Sequence, residues 1–391
     1  MINTSFLTLL DPRIKPSGSR DPLGFQTIWV QLGRELVGKN LTTITSSIDN
    51  FIIALLACYY SFQEENKDNK MEVFYIVEQL GAYFRIAGGH KNNIMGITQA
   101  EKNYNTNKIK LGSDSEAQIF GNQKTSGLWG YYSSALMMSG LINKDKTRIE
   151  EEGMKIIEQF INKFPLDKYL TLSSLLIDND DFKEKSKNFV KALGSVYNDM
   201  VSAILKKSEF DIYDKANIFF NIDGENNSYK EFYLWMKKTY QEDPLTKKIN
   251  TIKKIDNTLW VASKVFEFCR TQKGKTVYEV ADRIKKSSLS NVQLEPSEIG
   301  KIKQFIEFWN NKEFDKAIIT LVDVHKKAMK PRSSANWVSI ENDGTIKVAV
   351  ASKMNLPDVK EEIHWQYNYF LHSYMSVAYQ VYIEGKEHGK S

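Results

Sequence analysis

The sequence is poor in cysteine and proline. It has two cysteines, Cys58 and Cys269, among 391 residues, too few for the disulfide framework of a small secreted scaffold. Both lie in apolar, helix-like surroundings, so we predict two small buried side chains in a reducing cytosol. Three of the eight prolines fall within residues 11–24, which we predict to be an extended arm.

The sequence also lacks a long hydrophobic run. Its best membrane candidate, residues 51–62, is 12 residues long, whereas a spanning helix needs about 20. Asp49 and Asn50 precede this stretch, so we predict a buried core helix. No basic segment precedes the apolar residues at the N-terminus, and no signal peptide is expected. The sequence therefore predicts a soluble, cytoplasmic protein.

Motifs that mark common enzyme classes are absent as well. The sequence contains no Walker A loop, Rossmann glycine fingerprint, GxSxG elbow, kinase signature or CxxC pair. An ordinary enzyme is disfavoured, and we assign no catalytic residue, metal ligand or cofactor. An enzymatic alternative is a metal-dependent nuclease that uses Glu341, Asp343 and Lys347, although Asp343 would then lie in a turn.

Helical periodicity is the strongest positive signal. Apolar residues recur every three or four positions in 25–39, 42–62 and 71–86, as on the buried face of a helix. The sequence predicts a mainly α protein with three parts: a helical N-terminal module at 1–110, a winged-helix-like unit at 111–165, and a helical C-terminal region at 166–391 with a small β-hairpin near 337–350.

Two segments of the C-terminal region have distinct patterns. Asn342-Asp343-Gly344 lies between two β-rich runs and predicts the turn of the hairpin. Residues 361–384 are rich in aromatic side chains and predict one long final helix. Glu361, His364 and Asn368 share one side of that helix, and we predict them to be polar groups on a buried surface rather than metal ligands.

The unit at 111–165 has the element order of a winged helix. A short helix is predicted at 115–120, followed by a second helix at 126–139, strands at 141–142 and 147–149, and a closing helix at 150–164. The phrase from Ser139-Gly140-Leu141-Ile142 to Glu151-Glu152-Gly153 resembles the wing of many bacterial winged-helix proteins. In such proteins the second helix is inserted into the major groove of DNA.

The net charge is small but unevenly distributed. The chain carries 53 basic and 48 acidic residues, a net +5. Residues 251–350 hold 18 basic and 12 acidic residues, a net +6, so the rest of the chain sums to −1. Clustered cations neutralise phosphates with salt-dependent affinity. The alternative is an ordinary solvated surface rich in lysine.

These patterns supply the candidate DNA contacts. Polar side chains at the start of the predicted recognition helix could bind bases or phosphates, and cations could bind phosphates. The aromatic residues of the same helix could instead form a core or a protein-contact surface. The candidates are Gln123, Lys124, Thr125 and Ser126 on the helix, Lys144, Lys146 and Arg148 on the wing, and Lys273, Lys275, Arg283, Lys285 and Lys286 in the basic region.

Several short sequence motifs near the two ends of the chain, called phrases below, are considered together. They are Asp21-Pro22-Leu23-Gly24, Leu32-Gly33-Arg34-Glu35-Leu36-Val37, Leu41-Thr42-Thr43, His325 to Met329, Arg332-Ser333-Ser334-Ala335-Asn336-Trp337-Val338, His364-Trp365 and Tyr369-Phe370-Leu371. Together with the wing phrase, this set resembles winged-helix-containing bacterial proteins of anti-phage defence loci. Such proteins often have Gly-Gly where Ser333-Ser334 stands here. The resemblance implies a nucleic-acid-associated accessory subunit and transfers no catalytic residue.

The leading prediction is a non-enzymatic DNA-binding or adaptor subunit of a bacterial anti-phage defence complex. Its expected partners are double-stranded DNA and an ATPase, helicase or nuclease. The main alternative is a protein-interaction or dimerisation module that makes no direct DNA contact, with a homo-oligomer as one form of it.

Overall fold

The chain is mainly helical, as predicted. A computed structural model describes residues 21–106, 108–170, 176–206, 208–222, 227–297, 299–359 and 365–388. Within these ranges there are seventeen α-helices and two small antiparallel sheets of two strands each. None of the helices in this described part has the length and apolarity that crossing a membrane requires.

The helices are joined mostly by short connections. In chain order they are α1 (Gln26–Val37), α2 (Ile48–Ser61), α3 (Lys70–Ala87), α4 (Ile97–Tyr104), α5 (Gln123–Ser126), α6 (Leu128–Met138), α7 (Glu151–Ile161), α8 (Asp167–Leu170), α9 (Asn179–Gly194), α10 (Tyr197–Ile204), α11 (Ile212–Ile222), α12 (Tyr229–Thr239), α13 (Pro244–Cys269), α14 (Val277–Lys285), α15 (Gly300–Asn310), α16 (Phe314–Met329) and α17 (Leu371–His388). The strands are β1 (Lys108–Lys110), β2 (Leu176–Asp178), β3 (Val338–Ile340) and β4 (Ile346–Val348).

The chain divides into two compact units. Unit 1 comprises the described residues up to Leu32 together with Lys247–Tyr367, and unit 2 comprises Gly33–Thr246 and the described residues from Asn368 onward. The domain boundaries predicted at 110 and 165 both fall within unit 2, and they stay predictions.

The core of unit 2 is built on α2 and α3, which pack against each other. Every residue of α2 from Ile52 to Cys58 is buried, which confirms the core helix predicted at 51–62. Phe84 of α3 lies among four aromatic rings at centroid distances of 4.8 to 5.4 Å, those of Phe164, Tyr169, Phe182 and Phe189. Such ring clusters add stability beyond the area that they bury.

Unit 1 contains a small sheet whose middle strand is β4. On one edge, β4 pairs antiparallel with β3 in the hairpin predicted near 337–350. On its other edge lies the segment 274–276, where the Gly274 N–H donates to the Ile346 carbonyl at 2.9 Å and the Ile346 N–H donates to the Lys275 carbonyl at 2.8 Å. The chain order is therefore α13, the segment 274–276, α14, α15, α16, β3 and β4.

Both cysteines are buried and unbonded, as predicted. Cys58 lies in α2 of unit 2, and Cys269 is the last residue of α13. Burial raises the pKa of the Cys269 thiol to about 12 and raises that of Cys58 further. Both thiols are therefore protonated at neutral pH and act as small apolar side chains.

The final helix is shorter than predicted. It begins at Leu371, whereas the sequence predicts a helix over 361–384. Tyr369 and Phe370 have φ angles of 48° and 62°, a left-handed conformation that a right-handed helix cannot include. Gly33 makes room for this bend, since a Cβ at Gly33 would lie 2.7 Å from the Phe370 ring. Residues 361–364, including Glu361 and His364, lie outside the described residues.

One buried histidine joins three parts of unit 1. His325 of α16 is fully buried, and its Nε2 accepts a hydrogen bond from the Trp337 N–H at 2.8 Å. Its Nδ1 therefore carries the proton and donates to the Pro22 carbonyl at 2.7 Å. Burial lowers the pKa of His325, because the charged ring would lose its hydration and Nε2 could no longer accept.

The stability of unit 1 should therefore fall in acid. The unfolded chain takes up a proton at His325 below its ordinary pKa near 6.5, while the folded protein resists that proton, so the unfolding free energy decreases as the pH falls below about 6.5. His325→Gln should remove this part of the pH dependence, which thermal unfolding between about pH 5 and pH 8 would measure. His90→Gln, at an exposed histidine, is the matched control. If stability changed with pH by the same amount in wild type and in His325→Gln, the prediction would be wrong.

Candidate functional site

The region predicted as a winged helix has fewer regular elements than expected. Residues 115–120 form a turn followed by a bend instead of the predicted first helix. The second helix is observed as α6 and the closing helix as α7. The two predicted strands are reduced to a single bridge between Ile142 and Ile149.

The predicted wing is a tight side-chain-stabilised turn. The Asn143 carboxamide oxygen accepts hydrogen bonds from the Thr147 N–H at 2.8 Å and the Arg148 N–H at 3.1 Å. Gly153 lets α7 approach this turn, since a Cβ there would lie 2.5 Å from the Leu141 carbonyl. The glycine of the wing phrase therefore has a packing role.

Gln123, predicted as a base contact, is buried and cannot reach a ligand in solvent. Only 1% of its surface is exposed. Its Nε2 donates to Glu78 Oε2 at 2.8 Å, and its Oε1 accepts from Gln79 Nε2 at 3.2 Å. Burial and these bonds correct the sequence-based prediction for this residue, because its amide is fully used inside unit 2.

The other three predicted contacts on this segment lie at the surface. Lys124 and Thr125 are exposed, and Ser126 is partly exposed. They belong to the four-residue helix α5, which is capped by Asn122: the Asn122 side chain accepts from the Thr125 N–H at 3.3 Å. The segment therefore offers one lysine and two hydroxyl groups on one short turn.

The three wing cations do not form a basic surface. Lys144 is exposed, but Lys146 Nζ donates to the hydroxyl groups of Ser133 and Ser134 at 2.9 and 3.1 Å. Arg148 forms an ion pair with Glu150 at 3.2 Å. Residues 144–152 carry these three cations against four carboxylates, so the local net charge is −1.

The five cations of the basic region lie on α14 and on the turn before it. Lys275 and Lys286 form exposed ion pairs with Glu279 and Asp282, one helical turn away. Arg283 donates to the Gln272 side chain and lies 5.1 Å above the Phe268 ring. Arg283 thereby connects α14 to the turn that carries Lys273, and all five predicted cations are exposed.

Sequence reasoning missed an aromatic residue among these cations. Tyr278 on the first turn of α14 is 73% exposed, and Lys285 follows seven residues later on the same side of the helix. In protein–DNA complexes a tyrosine hydroxyl can bind phosphate or sugar oxygens of a duplex beside lysine and arginine, and an exposed ring can also stack on an unpaired base. We define the α14 surface as Lys273, Lys275, Tyr278, Arg283, Lys285 and Lys286, with a net charge of +3 once Glu279 and Asp282 are counted.

The nuclease alternative gains no support from the hairpin. Lys347 lies 3.7 Å from Glu341, and Asp343 Oδ1 accepts from the Thr345 N–H at 2.9 Å, which closes the turn. This hydrogen bond lowers the pKa of Asp343. Among the described residues, no three histidine, cysteine or acidic side chains come together as metal ligands would.

No family model, curated protein or solved structure matches this chain.

The phrases behind the resemblance to defence-locus proteins have structural roles here. In unit 1, the Arg332 side chain donates to the Asp21 carbonyl at 2.6 Å, next to the His325 bonds to Pro22 and Trp337. In unit 2, Gly33 packs against Phe370. Two of the three N-terminal phrases thus meet a C-terminal phrase within one unit, and the resemblance itself stays a prediction.

A buried carboxyl group controls the position of α6. Glu78 of α3 is 3% exposed, and its Oε1 accepts from the Leu128 N–H at the start of α6 at 2.7 Å. Burial raises the pKa of Glu78 to about 7, although the hydrogen bonds from Leu128 and Gln123 partly oppose that rise. The carboxyl group therefore holds its proton to a higher pH than an exposed glutamate does.

Glu78 should make unit 2 less stable at high pH. Between about pH 4.5 and pH 7 the folded protein keeps a proton that the unfolded chain has released, so the unfolding free energy falls as the pH rises. The total loss is about 3 kcal/mol, at about 1.4 kcal/mol per pH unit. Glu78→Gln should remove this loss in urea unfolding at several pH values, with Glu72→Gln, at an exposed carboxyl of the same helix, as the control. If the difference in unfolding free energy between wild type and Glu78→Gln stayed the same at every pH, the prediction would be wrong.

Proposed function

We propose that this chain is a non-enzymatic DNA-binding or adaptor subunit of a bacterial anti-phage defence complex, acting with an ATPase, helicase or nuclease, and that it contacts duplex DNA through the α14 surface. The main support for the DNA contact is the set of five exposed cations on the same surface as the exposed Tyr278. The defence context is supported by the resemblance of the sequence phrases alone.

The element order of unit 1 supports this proposal. Unit 1 contains, in chain order, the helix α13, the short segment 274–276, the helices α14 to α16 and the hairpin of β3 and β4. The second strand of the hairpin, β4, lies in the middle of the sheet. This order of elements is that of a winged helix. In the related helix-turn-helix proteins, one helix enters the major groove and neighbouring elements contact the backbone. In this proposal a winged-helix-like arrangement lies at about 247–350 in unit 1, and not at 111–165 as predicted from the sequence, and α14 with the preceding turn faces the DNA.

Charge favours the α14 surface over the segment 144–152. Phosphate binding depends on the sum of nearby charges, and this sum is +3 around α14 and −1 around the wing turn. The ion pairs of Lys275 and Lys286 are exposed, and such pairs contribute little to stability. Both lysines can therefore exchange their carboxylate partners for phosphates at little cost.

The triple variant Lys273→Glu, Lys285→Glu, Lys286→Glu tests the interface. These side chains are exposed, so the fold should persist while duplex DNA binding weakens by at least about tenfold at low salt. The slope of log affinity against log salt should become shallower by about 0.9 for each phosphate that the variant no longer neutralises. Fluorescence anisotropy with a labelled duplex over a salt series would measure both quantities.

The matched control makes the same charge change in unit 2. It is the triple variant Lys144→Glu, Lys155→Glu, Lys163→Glu, at three exposed lysines, and it should bind DNA nearly as well as wild type. Equally weakened binding in the two variants would point to net charge rather than a defined surface. Unchanged affinity in the α14 variant would remove this surface from the proposed function.

A second candidate function is homo-oligomerisation through unit 2. Ile218 and Ile222 lie one turn apart on α11 and are 44% and 66% exposed, and Leu234 on α12 is 47% exposed. Helices α11 and α12 pack on each other, so apolar side chains of both helices face solvent. Large exposed apolar side chains are common at protein interfaces.

A charge on α11 distinguishes this candidate from DNA binding. Ile222→Asp should shift a dimer to monomer in multi-angle light scattering, because a carboxylate in an apolar interface loses its hydration. Ile222→Val, which keeps the surface apolar, is the control and should preserve the dimer. A wild-type protein that is monomeric up to high concentration would refute the candidate.

A further inference from the structure

Unit 2 contains a cavity of about 580 Å³ that none of the predicted contact residues lines. Its walls come from the start of α2, the loop after α3, the start of α10 and one side of α17. Cavities of roughly 300 to 1,000 Å³ are typical of small-molecule sites. Among the described residues of the wall, Asp49 is the one acidic side chain, and neither lysine nor arginine is present.

The single carboxylate is held from behind by a buried arginine. Arg85 is 2% exposed, and its Nη2 lies 3.1 Å from Asp49 Oδ2. The Tyr197 hydroxyl donates to the other carboxylate oxygen, Oδ1. Among the described residues the buried Arg85 Nε has no hydrogen-bond partner, but Nη1 donates to Asn50 Oδ1 at 2.9 Å and so helps to hold the guanidinium in place. The result is a carboxylate whose orientation is fixed and whose charge is largely balanced.

The same buried groups fix the loop that forms the neighbouring part of the wall. Arg85 Nη2 donates to the Asn92 carbonyl at 2.5 Å, and Asn50 Nδ2 donates to the Asn93 carbonyl at 2.9 Å. Asn93 has a φ of 57°, in the left-handed region. Left-handed non-glycine residues concentrate at functional sites. Two amide side chains are thus carried on a backbone that is held in place from inside the protein.

Aromatic side chains complete the cavity. Tyr379 and His372 lie on the lining side of α17, and Tyr197 lies at the start of α10. The Tyr379 ring is held by edge contact with Phe220 at 5.2 Å, and His372 lies 6.5 Å from the Tyr229 ring. The cavity therefore combines flat rings with amides and one oriented carboxylate, and its described wall has no lysine or arginine that would favour a polyphosphate.

We propose that this cavity binds the nucleoside part of a nucleotide. Asparagine side chains match the donor and acceptor pairs on base edges, aromatic rings stack on any base, and a fixed carboxylate accepts hydrogen bonds from ribose hydroxyl groups. The ligand is either a free mononucleotide or an unpaired nucleotide of a strand, since both present the same base and sugar. This site goes beyond the DNA contact proposed for unit 1.

Isothermal titration of the full chain with AMP, GMP, CMP and UMP, and with a short single-stranded oligonucleotide, tests the proposal. Saturable binding with one site per chain is expected for at least one base. His372→Ala and Asn92→Ala, both at exposed residues, should each weaken it by about tenfold, the loss expected for a stacking or base-edge contact. Asn162→Ala, at an exposed asparagine at the end of α7, is the matched control and should bind like wild type.

The outcomes separate the two sources of the ligand. Binding of a mononucleotide with no gain for the oligonucleotide supports a free nucleotide, and tighter binding of the oligonucleotide supports a strand. Absence of saturable binding for every probe, or binding that His372→Ala and Asn92→Ala leave unchanged, overturns the proposal. The α14 triple variant should keep mononucleotide binding, so failure of the DNA contact and failure of this site are distinguishable.

Discussion

Three buried polar side chains of α3 hold the irregular segments of unit 2 in place. Glu78 accepts from the backbone of Leu128, Gln79 both donates to and accepts from the backbone of Gly112 at 2.9 and 3.0 Å, and Arg85 donates to the carbonyl of Asn92. Backbone groups that leave water need such partners. Because these segments contain little regular structure, α3 supplies bonds that a helix or sheet would otherwise make.

This arrangement sets both the start of α6 and the wall of the cavity in unit 2. Glu78 sets the start of α6 and removes Gln123 from the surface, whereas Arg85 orients Asp49 and the loop beyond α3. Replacing a buried charged group by an apolar side chain of similar volume is often neutral or stabilising, so stability alone does not explain these groups. Arg85 fixes the loop beside the cavity, whereas Glu78 and Gln79 fix the segments at Leu128 and Gly112, which do not line it.

The sequence is informative where structure depends on local pattern. Periodicity locates α1 to α3, and Asn342-Asp343-Gly344 locates the hairpin, because helix faces and tight turns are set by neighbouring residues. Gln123 could not be predicted as buried, since its partner Glu78 lies 45 residues earlier. The third segment of the sheet in unit 1, residues 274–276, was missed for the same reason. It is too short for a strand pattern, and its partner β4 follows about 70 residues later.

The charge of a surface is also hard to predict from the sequence, because the net charge of a stretch of sequence differs from the net charge of the surface on which its residues lie. Lysines occur in both the 144–152 segment and the α14 surface, but the first has four carboxylates for three cations and the second has two for five. Salt screens exposed charges over roughly 10 Å, so only carboxylates that lie this close reduce the attraction for phosphate. Arg283 brings Gln272 and its neighbour Lys273 within that distance of α14, which makes the α14 surface one electrostatic unit.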